Sequence, residues 1–164
     1  MKLAKNLERL GTESAFSVLA EAKKLEAQGK EMIHLGLGQP DFKTPKHIAD
    51  AAKKAIDDGH HGYVLANGTL ECREAVSRKI KTLYKKEISP ERVMIMPGGK
   101  PTMFFAISMI GEPGSEIIHP TPGFPIYESM INYTGAQAVP YDLTEDKDLQ
   151  FDPEKILSLI TDKT

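Results

Sequence analysis

Pro97-Gly98-Gly99-Lys100 joins a predicted strand to a predicted helix. A turn of this kind presents backbone N–H groups at a helix N-terminus, where the helix dipole favours an anion. Two successive glycines let a phosphate approach the backbone closely. Pro101 brings no N–H, a small loss at the first helical position. The same residues would also suffice for a plain strand-to-helix connection. Phe124 lies in a proline-held loop, Pro120 to Pro125, just past the carboxyl end of a predicted strand. Ligands of open α/β sheets bind there, and an aromatic ring could stack on a flat heterocycle or simply pack beneath its loop. Tyr63 follows Gly62 in an otherwise polar loop; its hydroxyl could reach a phosphate, or the ring could serve a surface or an interface.

Other chemistries lack their residues. A Walker A loop needs glycine where Met94 stands and Ser or Thr where Pro101 stands. Gly36-Leu37-Gly38 does not complete a dinucleotide fingerprint, because Asp41 occupies the third glycine position. His60 and His61 are adjacent and have no Cys or carboxylate at ligand spacing, so no metal site is expected. Cys72, the single cysteine, sits in a helical pattern and excludes an internal disulfide. Formal net charge is −2 with both signs interspersed, which argues against a nucleic-acid partner. No stretch approaches the roughly 18 apolar residues of a membrane span. Met1 to Leu10 has no continuous apolar run of the signal-peptide kind, so a cytoplasmic location is expected and the Asn67 and Asn132 glycosylation patterns are read as chance matches.

The elements that would position these residues follow from apolar spacing. A first helix is expected from about Ser14 to Gln28, ended by Gly29, whose freedom to adopt the left-handed conformation suits a C′ position. Met32 to Leu35 reads as a short strand. Thr44-Pro45 would open a second helix with a cap followed by proline, running to Gly59. Thr69 would cap a third, through Leu70, Val76, Ile80 and Leu83. Strand and helix then alternate: strand Val93 to Met96, helix from Pro101 through Ile110, strand Glu116 to His119, helix Ile126 to Tyr133, strand Ala136 to Tyr141, and a last helix capped by Asp152-Pro153 through Ile160. Short apolar strands separated by helices predict an α/β fold with a mostly parallel sheet, preceded by an N-terminal helical arm.

Taken in order, the motifs resemble one family. Gly36-Leu37-Gly38-Gln39-Pro40-Asp41-Phe42, then Thr44-Pro45, resembles the G-x-P-D-F-x-T-P signature of class I aminotransferases, enzymes of pyridoxal-phosphate (PLP) fold type I. His61-Gly62-Tyr63 through Gly68, then Leu70-Glu71-Cys72-Arg73-Glu74-Ala75, is similar to their Y-x-x-x-x-G-x-x-x-L-R-E-A segment. Pro97-Gly98-Gly99-Lys100 matches their glycine turn, Pro113-Gly114-Ser115-Glu116 resembles their P-G-D-E, and Pro122-Gly123-Phe124-Pro125-Ile126-Tyr127 matches P-x-[FWY]. The resemblance runs from about Ala15 to Asp162. Pro101 departs from it where an N–H donor is common, and Gln39 replaces the commoner Glu.

The resemblance implies an aspartate-aminotransferase-like fold, with residues 1–45 as arm and start of the small domain and 46–164 as the first part of the large PLP domain. It implies PLP as cofactor and an amino group moved between an amino acid and a 2-oxo acid. Gly99 and Lys100 would hold the cofactor phosphate through backbone N–H groups. Phe124 would stack on the pyridine ring, and Gly38 would offer its N–H to the substrate α-carboxylate. Tyr63 would reach the PLP phosphate of the neighbouring subunit of a homodimer. The family's Schiff-base lysine is expected beyond Thr164, so the chain is expected to be an N-terminal part of the enzyme with no catalytic residue of its own. Two other readings remain: a PLP-dependent lyase on the same scaffold, and a non-catalytic interaction module that associates through exposed edges and apolar faces.

Overall fold

Strand–helix alternation after Gly111 gives one βαβ unit. The computed structural model describes residues 2–11 and 15–164, without the side chain of Lys147. Strand β1 is Glu116–Thr121 and strand β2 is Gln137–Asp142. They pair in parallel, with Glu116 opposite Gln137 and Thr121 opposite Asp142. The crossover carries a helix, here α5, Ile126–Thr134, as parallel neighbours require. Gly135, in the left-handed conformation at φ 88°, ends that helix and turns the chain into β2. Each strand runs slightly past the predicted range, which brings Pro120 inside β1; Pro140 lies inside β2 as expected. A two-stranded sheet consists of edges, and an edge tolerates a residue that cannot donate to the ladder.

Helix α4, Gly99–Ile110, precedes β1. Apolar side chains of α4, α5 and the residue just before β2 meet in a small core of Ile107, Met130, Ile131 and Ala136, with Ile131 wholly buried. Ile117, Ile126, Tyr127, Tyr133 and Ala138 pack around it. At the far end of α4, a side chain on Gly111 would meet Thr134 Oγ1 at 2.5 Å, so only glycine lets the two helix ends come this close.

Two shorter pieces complete this unit, which groups Met1–Leu37 with Gly98–Thr164. The first is a 3-10 turn, Lys5–Arg9, followed by helix α1, Ala15–Ala27. The predicted start of that helix at Ser14 lies outside the described residues. The segment is fastened to α5. Arg9 Nε donates to the Asn132 carbonyl and Nη2 to the Tyr133 carbonyl, both at 2.8 Å. These two carbonyls belong to the last turn of a helix, where intrahelical donors run out and a cation is favoured. The second is helix α6, Pro153–Ser158. Asp152 caps it by accepting from the N–H groups of Glu154 and Lys155. Tyr141 secures its approach by accepting the Asp152 N–H at 2.6 Å and stacking on Phe151.

The second unit is Gly38–Pro97. It holds helix α2, Lys46–Asp57, and helix α3, Leu70–Tyr84. Thr69 caps α3 as predicted, accepting from Cys72 N–H at 3.4 Å. The predicted Thr44 cap of α2 does not form. Pro45 takes the N-cap position, without a side-chain hydrogen bond. Two predicted strands are also absent: Met32 to Leu35 and Val93 to Met96 carry no strand pairing. In the second, Val93 is extended, at φ −111° and ψ 130°, and Ile95 donates one bond to the Asn67 carbonyl at 3.1 Å. A strand is defined by its ladder, and no ladder partner lies beside either segment among the described residues.

Candidate functional site

The glycine turn forms as its sequence dictates. Gly98 has φ 104° and ψ 169°, a region open essentially to glycine alone. From that conformation the chain enters α4 directly, two residues earlier than predicted, and Pro101 falls in the first turn, where its missing N–H removes no intrahelical bond. Thr102 Oγ1 donates to the Gly98 carbonyl at 3.1 Å and fixes the turn against the helix. Space beside the turn is open: a methyl group placed on Gly98 or on Gly99 would meet no atom within 4 Å. The N-terminus of α4 thus presents backbone N–H groups to an uncrowded volume large enough for an anion to approach.

Phe124 lies in the same unit, in the loop between β1 and α5. Gly123 is required there by close approach, because a Cβ would collide with the Pro120 carbonyl oxygen. Phe124 is half-buried. Tyr127 meets its ring edge-on at 6.2 Å between centroids. Lys100 Nζ lies over the Phe124 ring, 5.6 Å from its centroid, and 5.2 Å from the centroid of Phe16 on α1. The structure therefore brings Gly99, Lys100 and Phe124 together. Gly38 and Tyr63 belong to the other unit. Gly38 is exposed with open space where a side chain would stand, and Tyr63 is fully exposed, at 109% of its reference area.

Elsewhere in the first unit, a cleft of about 530 Å³ separates the Arg9–Gly11 segment from α5. None of the sequence-predicted site residues lines it. Among the described residues there is no cluster of three potential metal ligands, and no helix is long and apolar enough to cross a membrane.

Sequence reasoning overlooked the buried Arg73 and the contact of Phe16 with Lys100. Arg73 is buried to 3% exposure. It donates to the carbonyls of Gly68 and Pro90 and pairs with the Glu91 carboxylate at 3.2 Å. It thereby ties the turn before α3 to the 3-10 turn Pro90–Arg92. Its place in the Leu70–Ala75 motif was the available signal. Phe16 had none beyond its apolar position on α1.

Comparison with known proteins decides the family. The family model for aminotransferase class I and II matches residues 30–164. The chain belongs to the class I and II aminotransferases. It is 39% identical to (5-formylfuran-3-yl)methyl phosphate transaminase of Methanocaldococcus jannaschii over 142 residues, 87% of this chain and 38% of that protein. It is 32% identical to aspartate aminotransferase of Bacillus subtilis over 164 residues, all of this chain and 42% of that protein. Among solved structures, aspartate aminotransferase from Thermus thermophilus with maleate superposes with a TM-score of 0.90 at 29% identity, covering 100% of this chain and 43% of that one. Alanine aminotransferase from Pyrococcus furiosus gives 0.90 at 30% identity over 99% and 42%. The expected aspartate-aminotransferase-like fold is borne out. The chain spans about two fifths of the length of the relatives it matches. Class I and II aminotransferases are PLP-dependent.

Proposed function

We propose that this chain supplies the phosphate turn and the ring-stacking residue of a PLP-dependent aminotransferase that exchanges an amino group between an amino acid and a 2-oxo acid. The observation that carries the reading is the placement of Phe124 beside the turn that opens α4, in a chain belonging to an aminotransferase family. The residues fit PLP. An open anion-accepting helix N-terminus and an aromatic ring, joined through Lys100, suit a flat heterocycle that carries a phosphate.

In this account the N–H groups of Gly99 and Lys100 hold the phosphate and Phe124 covers one face of the pyridine. Gly38 N–H orients the substrate α-carboxylate. Tyr63 acts in trans on the phosphate bound by a second subunit of a homodimer, which gives its full exposure a purpose. Residues 1–45 then form the arm and the start of the small domain, and 46–164 the first part of the large domain. The enzyme works in the cytoplasm. PLP supplies the electron sink for amino-group transfer. The proton-moving lysine is not Lys100, whose ammonium is engaged over Phe16 and Phe124.

The test is transamination by the purified complete gene product with PLP, an amino acid and a 2-oxo acid. Double-displacement kinetics with equimolar new oxo acid and new amino acid are expected. Residues 1–164 alone should yield no oxo acid. Loss of the α-amino group as ammonia, without a new amino acid, contradicts the proposal, as does turnover by residues 1–164 alone.

A further inference from the structure

The backbone at Phe124 is held from both sides. Before it, Gly123 has no room for a side chain, because a Cβ would collide with the Pro120 carbonyl oxygen. After it, Tyr127 N–H donates to the Phe124 carbonyl at 3.0 Å, across the residue that caps α5. A fixed backbone narrows the rotamers of a side chain but leaves more than one open. The half-buried Phe124 ring therefore needs a neighbour to set its orientation.

Tyr127 is such a neighbour. Its ring stands at 86° to the Phe124 ring, with 6.2 Å between centroids, an arrangement that aromatic pairs favour. Tyr127 is itself anchored, packed against the core of Ile107, Met130, Ile131 and Ala136. The helix that carries it is also fastened from outside. Gly11 N–H donates to Ser129 Oγ at 2.9 Å, and the Ser129 hydroxyl donates back to the Gly11 carbonyl at 3.2 Å. Arg9 holds the far end of the same helix through the Asn132 and Tyr133 carbonyls. A ring rooted in the core of the unit thus borders the Phe124 ring.

We infer that Tyr127 is a positioning residue for the cofactor ring, an inference that rests on the PLP reading above. Its ring limits the rotation of the Phe124 side chain, so the stacking face is set before PLP arrives. Setting it in advance lowers the ordering cost of stacking. The role belongs to the ring of Tyr127 and not to its hydroxyl, because the contact is between rings. Without a ring at this position Phe124 keeps its backbone and samples more rotamers.

The test is the dissociation constant for PLP of the complete gene product in apo form, followed through the absorbance of the bound cofactor. Y127L should raise it about two- to tenfold, the ordering cost of one side chain. Y127M keeps bulk against the core without a ring and should do the same, so the result does not hang on the folding of Y127L. In an F124L background neither substitution should raise the constant further, since no stacking ring is left to position. Y127F should bind as wild type. Y133L removes another ring that packs against the same core; it should lower the apo-protein melting temperature and leave the constant unchanged. An unchanged constant in folded Y127L or Y127M, an equal rise in the F124L background, a Y127F that binds as weakly as Y127L, or an equal rise in Y133L overturns the inference while PLP binding by wild type stands. Wild type that binds no PLP overturns the cofactor reading and the inference together.

Discussion

Arg73 Nε donates to the Gly68 carbonyl at 3.3 Å. The same guanidinium reaches the Pro90 carbonyl and the Glu91 carboxylate through Nη1, so one buried cation closes the turn before α3 against the turn before Val93. Removing it leaves two carbonyls without their donor. R73M should lower the unfolding free energy by about 2–3 kcal/mol, measured by urea denaturation. E91Q should cost far less, because Glu91 is largely exposed and its pairing is screened by water.

The two glycines of the turn into α4 should respond in opposite ways. Gly98 needs its positive φ, so G98A should cost about 1–3 kcal/mol of stability through backbone strain. Gly99 begins α4 without that constraint and with open space around it. G99A should leave stability unchanged or slightly raised, by up to about 1 kcal/mol. Its methyl group would enter the open space proposed for the phosphate, so PLP affinity should fall in G99A despite the intact fold. Urea midpoints and PLP titrations on both variants check this.

Gly123 is confined by the Pro120 carbonyl rather than by its own dihedral angles. Any side chain forces the loop open and displaces Phe124. G123A should therefore weaken PLP binding by about tenfold, the equivalent of one misplaced stacking contact. F124W should retain binding and F124L should weaken it, by the same titration.

The pair Lys81–Glu87, 2.5 Å apart, sets a modest pH dependence. The hydrogen bond from Lys81, helped by its charge, holds the Glu87 carboxyl below its ordinary 4.5. A lowered carboxyl stabilises the fold above its unfolded value, and that contribution fades as pH falls through the lowered value. The bond to Glu87 raises Lys81 above its ordinary 10.5. Its contribution is complete below 10.5 and lost as pH climbs through the raised value. Both groups lie in solvent, so the effect is small. Urea midpoints of wild type and E87Q, measured across pH, should differ slightly near neutrality and converge at both extremes.

Legibility followed the range of the interactions. Thr69 capping α3, the Gly98 turn into α4 and the order β1, α5, β2 depend on neighbours in sequence, and they stand where local chemistry put them. Met32 to Leu35 and Val93 to Met96 have strand composition. Strand formation requires a partner from elsewhere in the chain, which apolar spacing cannot supply. Thr44 is a good cap by type, yet the extended Pro45 begins the helix one residue later, leaving no bond to the threonine. In the site, glycine and aromatic types pointed to Gly99, Lys100 and Phe124. The bracket from Phe16 through Lys100 is a tertiary contact between residues distant in sequence, invisible to helical periodicity. Arg73 reads as one more helix-surface charge until Pro90 folds over it.

The central claim is that the turn at Gly98 to Lys100 and the ring of Phe124 hold PLP. The most direct measurement is titration of the apo form of the complete gene product with PLP, reading visible absorbance and induced circular dichroism. The account predicts a saturating signal at one cofactor per chain, weakened in G99A and F124L while both variants keep their melting temperatures. Absence of a saturable signal in wild type, or binding that G99A and F124L leave untouched, would contradict it.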